Sequence, residues 1–101
     1  MRRLVSGIVG LAALLTGCAT TTQENISRLN LIKNRNELIC GVSGKIPGFS
    51  FLTSDGSYQG LDVDICKAFA SAIIGDSNKI QYRPLTAAER FTAIKTGEID
   101  I

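Results

Sequence analysis

The sequence predicts an α/β fold with a mainly parallel sheet, built in the order β-α-β-α-β with a small hairpin after the first strand. Three observations carry that expectation. Compact apolar runs of strand length alternate with helical patterns of about a dozen residues. Each of the two longer helical patterns is followed by a glycine, Gly75 or Gly97, suited to a left-handed C-terminal cap. The Asp55-Gly56 pair marks a tight turn between two short apolar segments.

Taken in order, Ile26, Leu29 and Ile32 recur at a spacing of three and predict a short amphipathic helix that ends near residues 34–36. Leu38-Ile39-Cys40-Gly41-Val42 reads as a strand buried on both faces. A loop follows, and residues 49–52 and 58–61 then predict a hairpin around the Ser54-Asp55-Gly56-Ser57 turn. Asp62 is placed to cap a helix over 63–74, because its carboxylate can accept from the free N–H groups of the first turn. Val63, Cys66, Ala70 and Ile73 share one face of that helix, with Phe69 beside it. Residues 79–83 alternate like a second strand, which Pro84 closes. Thr86 is placed to cap a helix over 87–96 with Phe91 and Ile94 inward, and residues 98–101 open a third strand.

The N-terminus reads as a targeting segment. Arg2 and Arg3 precede an apolar run from Leu4 to Leu15. That run is too short for ~30 Å of hydrocarbon, which takes roughly 20 apolar residues. It fits a removable signal peptide over 1–17. Leu15-Thr16-Gly17-Cys18 resembles a bacterial lipobox, which makes Cys18 a lipid attachment site and 18–25 a polar tether. The bland alternative is an ordinary signal peptide beside a chance cysteine. Loss of Arg2 and Arg3 lowers the 11 basic residues by two to match the 9 acidic ones, so the mature charge is zero. The apparent basicity therefore gives no case for nucleic acid. The roughly 84 residues that remain suffice for one small domain, below the usual size.

The chain has no histidine, which removes the usual proton shuttle and the commonest metal ligand. No nucleophile elbow, phosphate-cradling loop or Cys-x-x-Cys pair is present, and neither a cofactor nor a metal site is expected. Asp62 and Asp64 mimic paired carboxylates, but complementing the helix dipole explains them better. With Cys18 acylated, Cys40 and Cys66 remain as an even pair. One lies in the first strand and the other on the sheet-facing side of the next helix, which favours a disulfide over two buried thiols. A bridge across 26 residues adds about 3 kcal/mol by loop entropy.

In a mainly parallel sheet, ligands bind beyond the carboxyl ends of the strands. That edge holds the 43–51 loop and the 84–86 turn. Ser43, Phe49, Phe51 and Arg90 are the candidate ligand-binding residues. Aromatics can cover an apolar ligand body while hydroxyls and backbone N–H groups hold its polar end. An arginine fork suits a carboxylate. For the phenylalanines the alternative is a place in the hairpin core. For Arg90 the alternatives are an ion pair with Glu89 or Asp100, or plain solvation.

Four segments together resemble a known family: Leu38-Ile39-Cys40-Gly41-Val42, Gly48-Phe49-Ser50-Phe51, Gly60-Leu61-Asp62-Val63-Asp64-Ile65-Cys66-Lys67-Ala68, and the stretch from Leu85 to Thr96-Gly97-Glu98-Ile99-Asp100. They are similar to the family 3 extracellular solute-binding proteins of amino-acid ABC importers, in the general and glutamate/glutamine/aspartate branch. The resemblance runs from about Asn30 to Ile101. It implies a type II periplasmic-binding-protein fold of two lobes closing on an amino acid, of which this chain covers the first part of lobe one. It also implies a protein that captures a polar or acidic L-amino acid and delivers it to permease subunits, which with the lipobox makes the expectation an exported, monomeric lipoprotein. In the family the loop matching 43–51 lines the cleft, and the arginine matching Arg90 can help bind an acidic side chain. The main α-carboxylate arginine follows the strand that begins at Glu98, beyond this sequence. The chain as it stands is therefore expected to be a truncated form that binds no amino acid with useful affinity. The same fold also occurs in cyclohexadienyl dehydratases, some lytic transglycosylases and membrane sensors, which supply the alternative readings.

The lipobox reading has a direct test. Cys18→Ser should abolish lipid labelling and processing at the Gly17/Cys18 bond, whereas efficient cleavage of that variant at the same bond counts against it.

Overall fold

The computed structural model describes residues 26–101. The signal-peptide, Cys18 and tether readings lie outside the described residues. Helix α1 spans Arg28–Arg35. The Ser27 hydroxyl caps it by accepting from the Asn30 N–H at 3.2 Å, and Asn36 ends it in the left-handed conformation. Lys33 and Arg35 stand in its last turn, where positive charge suits the helix dipole. Ile32 is its one fully buried residue.

Strand β1 is Leu38–Val42, with Leu38, Cys40 and Val42 buried. Both of its faces are covered. Cys40 and Val42 pack with Cys66 of the following long helix. On the other side Gly41 admits Ile99 and Leu85: a Cβ there would lie 2.7 Å from Ile99 and 3.2 Å from Leu85. Strands β2 (Lys45–Ile46), β3 (Ser50–Leu52) and β4 (Tyr58–Gln59) form a small antiparallel sheet. The expected hairpin around Asp55-Gly56 is thus present, and β2 adds a strand to it. Within the turn, bonds from the Thr53 and Ser57 hydroxyls and the Ser57 N–H hold the Asp55 carboxyl down at about 2.

Helix α2 spans Leu61–Ile74 and ends at Gly75 in the left-handed conformation. Val63, Cys66 and Ala70 are its buried face. Asp62 does not cap it. The preceding residue is Gly60, and no side chain makes a cap bond. The N–H groups of Leu61 and Asp62 instead donate to the carbonyls of Gly48 and Phe49, both at 2.9 Å. The helix thus begins two residues earlier than a cap at Asp62 requires, and the Asp64 N–H that its carboxylate was expected to serve donates to the Gly60 carbonyl at 3.0 Å. Only glycine fits at position 60, where φ is 128° and the Phe49 backbone presses against the site of a Cβ.

Strand β5, Ile80–Pro84, pairs parallel with β1 in the register Leu38↔Ile80 to Val42↔Pro84. Helix α3 spans Arg90–Thr96, three residues shorter at its start than the sequence suggested. Residues 87–89 form a turn instead, closed by the Glu89 N–H on the Thr86 carbonyl at 3.2 Å. Its inward residue is Ala93, and the expected inward placement of Phe91 and Ile94 is wrong. Phe91 is 84 % exposed and Ile94 50 %. At about 100° per residue, Phe91 lies roughly 200° around the helix from Ala93, and Ile94 roughly 100°.

Residues 98–101 do not form the expected third strand. They run beside β1 and make two backbone bonds to it, Asp100 N–H to the Ile39 carbonyl and the Gly41 N–H to the Ile101 carbonyl, at 2.8 and 2.9 Å. The Ile39 N–H goes to the Asp100 carboxylate at 2.8 Å rather than to a backbone carbonyl, which interrupts the ladder. That carboxylate is fully buried and also pairs with Arg35, while Arg28 approaches at 3.6 Å.

Cys40 and Cys66 are joined as a disulfide, with Cα atoms 6.3 Å apart. Protein recovered from the cell envelope should yield a Cys40–Cys66 linked peptide by mass spectrometry without reduction. Two alkylatable thiols in that material would contradict the bridge.

Candidate functional site

Parallel pairing brings the carboxyl ends of β1 and β5 side by side, so the residues that follow Val42 and Pro84 meet at one edge. A cleft of about 180 Å³ opens there, lined by Ser43, Lys45, Pro84, Leu85, Thr86 and Glu89. Its floor is tied to the sheet by the Leu85 N–H, which donates to the Val42 carbonyl at 2.8 Å.

The loop that carries Ser43 is held from beneath. Ser50 is fully buried, and its hydroxyl oxygen accepts from the N–H groups of Ser43 at 3.0 Å and Gly44 at 3.3 Å. Gly44 turns the chain with φ at 71°. A serine can do this because its oxygen takes two donors at once. On the far wall, the Thr86 N–H and hydroxyl both donate to one Glu89 oxygen, at 2.7 and 2.8 Å. This is the side-chain half of a capping box. Those two bonds hold the Glu89 carboxyl below the usual carboxylate range.

The four candidate residues are not gathered at one point. Ser43 lines the cleft. Arg90 opens α3 directly after Glu89 and is half-buried, and its buried Nε has no hydrogen-bond partner. Neither expected ion pair forms. Glu89 is engaged by Thr86, and Asp100 by Arg28 and Arg35. Phe51 lines a separate groove of about 250 Å³ with Pro47, Gly48, Gln59 and Gly60. Phe49 lines neither cavity. Both phenylalanines are about half exposed, at 51 % and 43 %, so the hairpin-core alternative fails for each. Ser50 between them is the buried residue of that stretch.

Lys45, Glu89 and Ser50 were not among the expected site residues. The Thr86-Ala87-Ala88-Glu89 spacing was a legible signal for Glu89. For Ser50 the only signal was a hydroxyl between two aromatics. Among the described residues no group of three or more acidic, cysteine or histidine residues could hold a metal ion. No described helix is long and apolar enough to cross a membrane.

Residues 38–101 match the bacterial extracellular solute-binding proteins, family 3. The chain belongs to that family. All four candidate residues fall within the matched span. Among the family's members, the glutamate/glutamine/aspartate/asparagine-binding protein BztA of Rhodobacter capsulatus is 45 % identical over 95 residues, covering 94 % of this chain and 27 % of that protein. The chain spans less than a third of the length of the curated relatives it matches. The solute receptor for L-cysteine of Neisseria gonorrhoeae superposes with a TM-score of 0.69 at 29 % identity, over 72 % of this chain and 30 % of that one. An ancestral cyclohexadienyl dehydratase gives 0.63 at 30 % identity, over 72 % of this chain and 29 % of that one. The fold of this family 3 chain is accordingly that of a type II periplasmic binding protein, represented by part of a lobe.

Removing the buried acceptor should loosen the cleft loop selectively. Ser50→Ala strands two partly buried N–H groups, at a cost of about 1–3 kcal/mol. Amide hydrogen exchange at Ser43 and Gly44 should speed up about tenfold or more. Unchanged protection at both amides would show that the hydroxyl does not hold the loop.

Proposed function

We propose that this chain is the substrate-binding component of an amino-acid ABC importer, which captures a polar or acidic L-amino acid and presents it to the permease subunits. The observation that carries the reading is the cleft at the joined carboxyl ends of β1 and β5, in a chain of a family whose relatives are amino-acid-binding proteins of ABC transporters. In this reading Ser43 supplies a hydroxyl, Arg90 meets an acidic side chain, and exposed Phe49 and Phe51 cover the apolar body of the ligand. The protein works as a monomer without cofactor or chemical step. Residues 1–17 direct export, Cys18 anchors the chain by lipid, 18–25 tether it, and 26–101 hold the binding surface. That places it in the periplasm or on the outer face of a membrane.

Retention by this surface alone is weak. An exposed arginine–carboxylate pair contributes roughly 0–1 kcal/mol, whereas a micromolar site needs about 8 kcal/mol. Most of that comes from enclosing the ligand, and the cleft here is open on one side. Calorimetry of the 101-residue chain with glutamate, glutamine and aspartate should show no saturable heat at micromolar concentrations. Disrupting the gene in its host should lower uptake of at least one of these three amino acids. Normal uptake of all three would count against the transport reading.

A further inference from the structure

This chain contains two tyrosines, Tyr58 and Tyr82, and the fold brings them together. Tyr58 stands on β4 and Tyr82 on β5, in sheets that share no strand. Their ring centroids lie 5.0 Å apart with the planes tilted by 39°, inside the spacing of about 4.5–7 Å at which aromatic rings touch. Both rings pack against the buried Cys40 and Cys66, whose disulfide supports the pair from beneath. They also line an open cavity of about 340 Å³ with Ser57, Lys67 and Asn78, apart from the cleft that Ser43 and Thr86 line. Small solutes therefore reach the pair.

The composition of the chain decides where an oxidising equivalent would come to rest. Tryptophan gives up a single electron more readily than tyrosine, and this chain has none. Thiols and methionine are the other competing targets. The one methionine is Met1. Cys40 and Cys66 are already joined, and Cys18 is acylated in the reading above. A one-electron oxidant is thus directed to a tyrosine, and the oxidisable neighbour in contact with that tyrosine is the other one.

We propose that Tyr58 and Tyr82 form an oxidative modification site, at which one-electron oxidants couple the two rings into an intramolecular dityrosine. The oxidant is of the radical or high-valent metal class, and two equivalents are consumed. Each phenol loses one electron to an oxidant and its hydroxyl proton to water. The two phenoxyl radicals join by one new C–C bond between carbons ortho to the oxygens. The hydrogens on those two carbons then pass to the oxygens, which restores both hydroxyls and both aromatic rings. The net change is the loss of two electrons and two protons. The new bond ties the small antiparallel sheet to the parallel one, as the disulfide ties β1 to α2.

The test treats the full chain in detergent micelles with a photogenerated tris-bipyridyl ruthenium(III) complex. The expected product is a monomer with dityrosine fluorescence that yields a Tyr58–Tyr82 linked peptide after reduction of the disulfide, lighter by two hydrogens than its parts. The same chain in urea should give about tenfold less linked monomer, because unfolding lowers the effective concentration of one ring at the other. Tyr58→Phe and Tyr82→Phe should each abolish the fluorescence of the monomer. A folded wild type that forms no Tyr58–Tyr82 link, whether its tyrosines stay intact or are hydroxylated singly, overturns the proposal. Dityrosine found only between chains overturns it as well. So does a yield that urea leaves unchanged, since the folded contact would then contribute nothing, and so does monomer fluorescence that persists in either variant.

Discussion

The fully buried carboxylate of Asp100 is the point on which the described fold turns. It joins segments far apart in sequence: Arg28 and Arg35 from α1, the Ile39 N–H from β1, and its own stretch after α3. A carboxylate taken out of water costs several kcal/mol unless it is paired and hydrogen-bonded. Asp100 Oδ2 meets that condition with Arg35 and the Ile39 N–H, while Oδ1 has the Arg28 charge at 3.6 Å and no hydrogen bond. The arrangement has a directional consequence. It clamps one edge of β1 while β5 occupies the other, so β1 cannot slide, and the position of its carboxyl end is set.

That end is where the cleft forms, and the polar groups around it follow a common logic. Backbone N–H groups that leave a sheet edge must find acceptors. Those of Ser43 and Gly44 find the Ser50 hydroxyl, those of Leu61 and Asp62 find the hairpin carbonyls, and that of Thr86 finds Glu89. Each bond positions a loop as it satisfies a donor. The cleft is therefore shaped before any ligand arrives, its loop held by the buried Ser50 and its far wall by the bonds from Thr86 to Glu89.

The core itself is small, built chiefly from Ile32, Leu38, Cys40, Val42, Val63, Cys66 and Ala70. Such a core supports only marginal stability. The Cys40–Cys66 bridge lies within it and ties β1 to α2 across 26 residues. It reinforces the same strand that Asp100 clamps from the other side. Phe91, Ile94 and Phe69 contribute nothing to this core, being about half exposed or more.

Much of this was legible in the residues themselves. Apolar runs, glycine stops and the Asp55-Gly56 turn identified β1, the hairpin, α2 and the parallel partner β5, because strand and helix periodicities are local properties of the chain. The disulfide followed from placing two cysteines on adjacent elements. What tertiary structure decided were the matters of competition and facing. Asp62 was a sound cap by local rules, yet the hairpin carbonyls of Gly48 and Phe49 hold the N–H groups of Leu61 and Asp62, and the helix starts ahead of it. Phe91 looked inward because it is large and apolar, yet the start of α3 turned Ala93 to the core. Asp100 read as an ordinary acid in Ile99-Asp100-Ile101, and only folding brought two arginines and a strand N–H to it. Lys45 and Glu89 share a cleft for the same reason. Sequence spacing determines which side chains share an element, whereas which elements meet depends on contacts between residues dozens of positions apart.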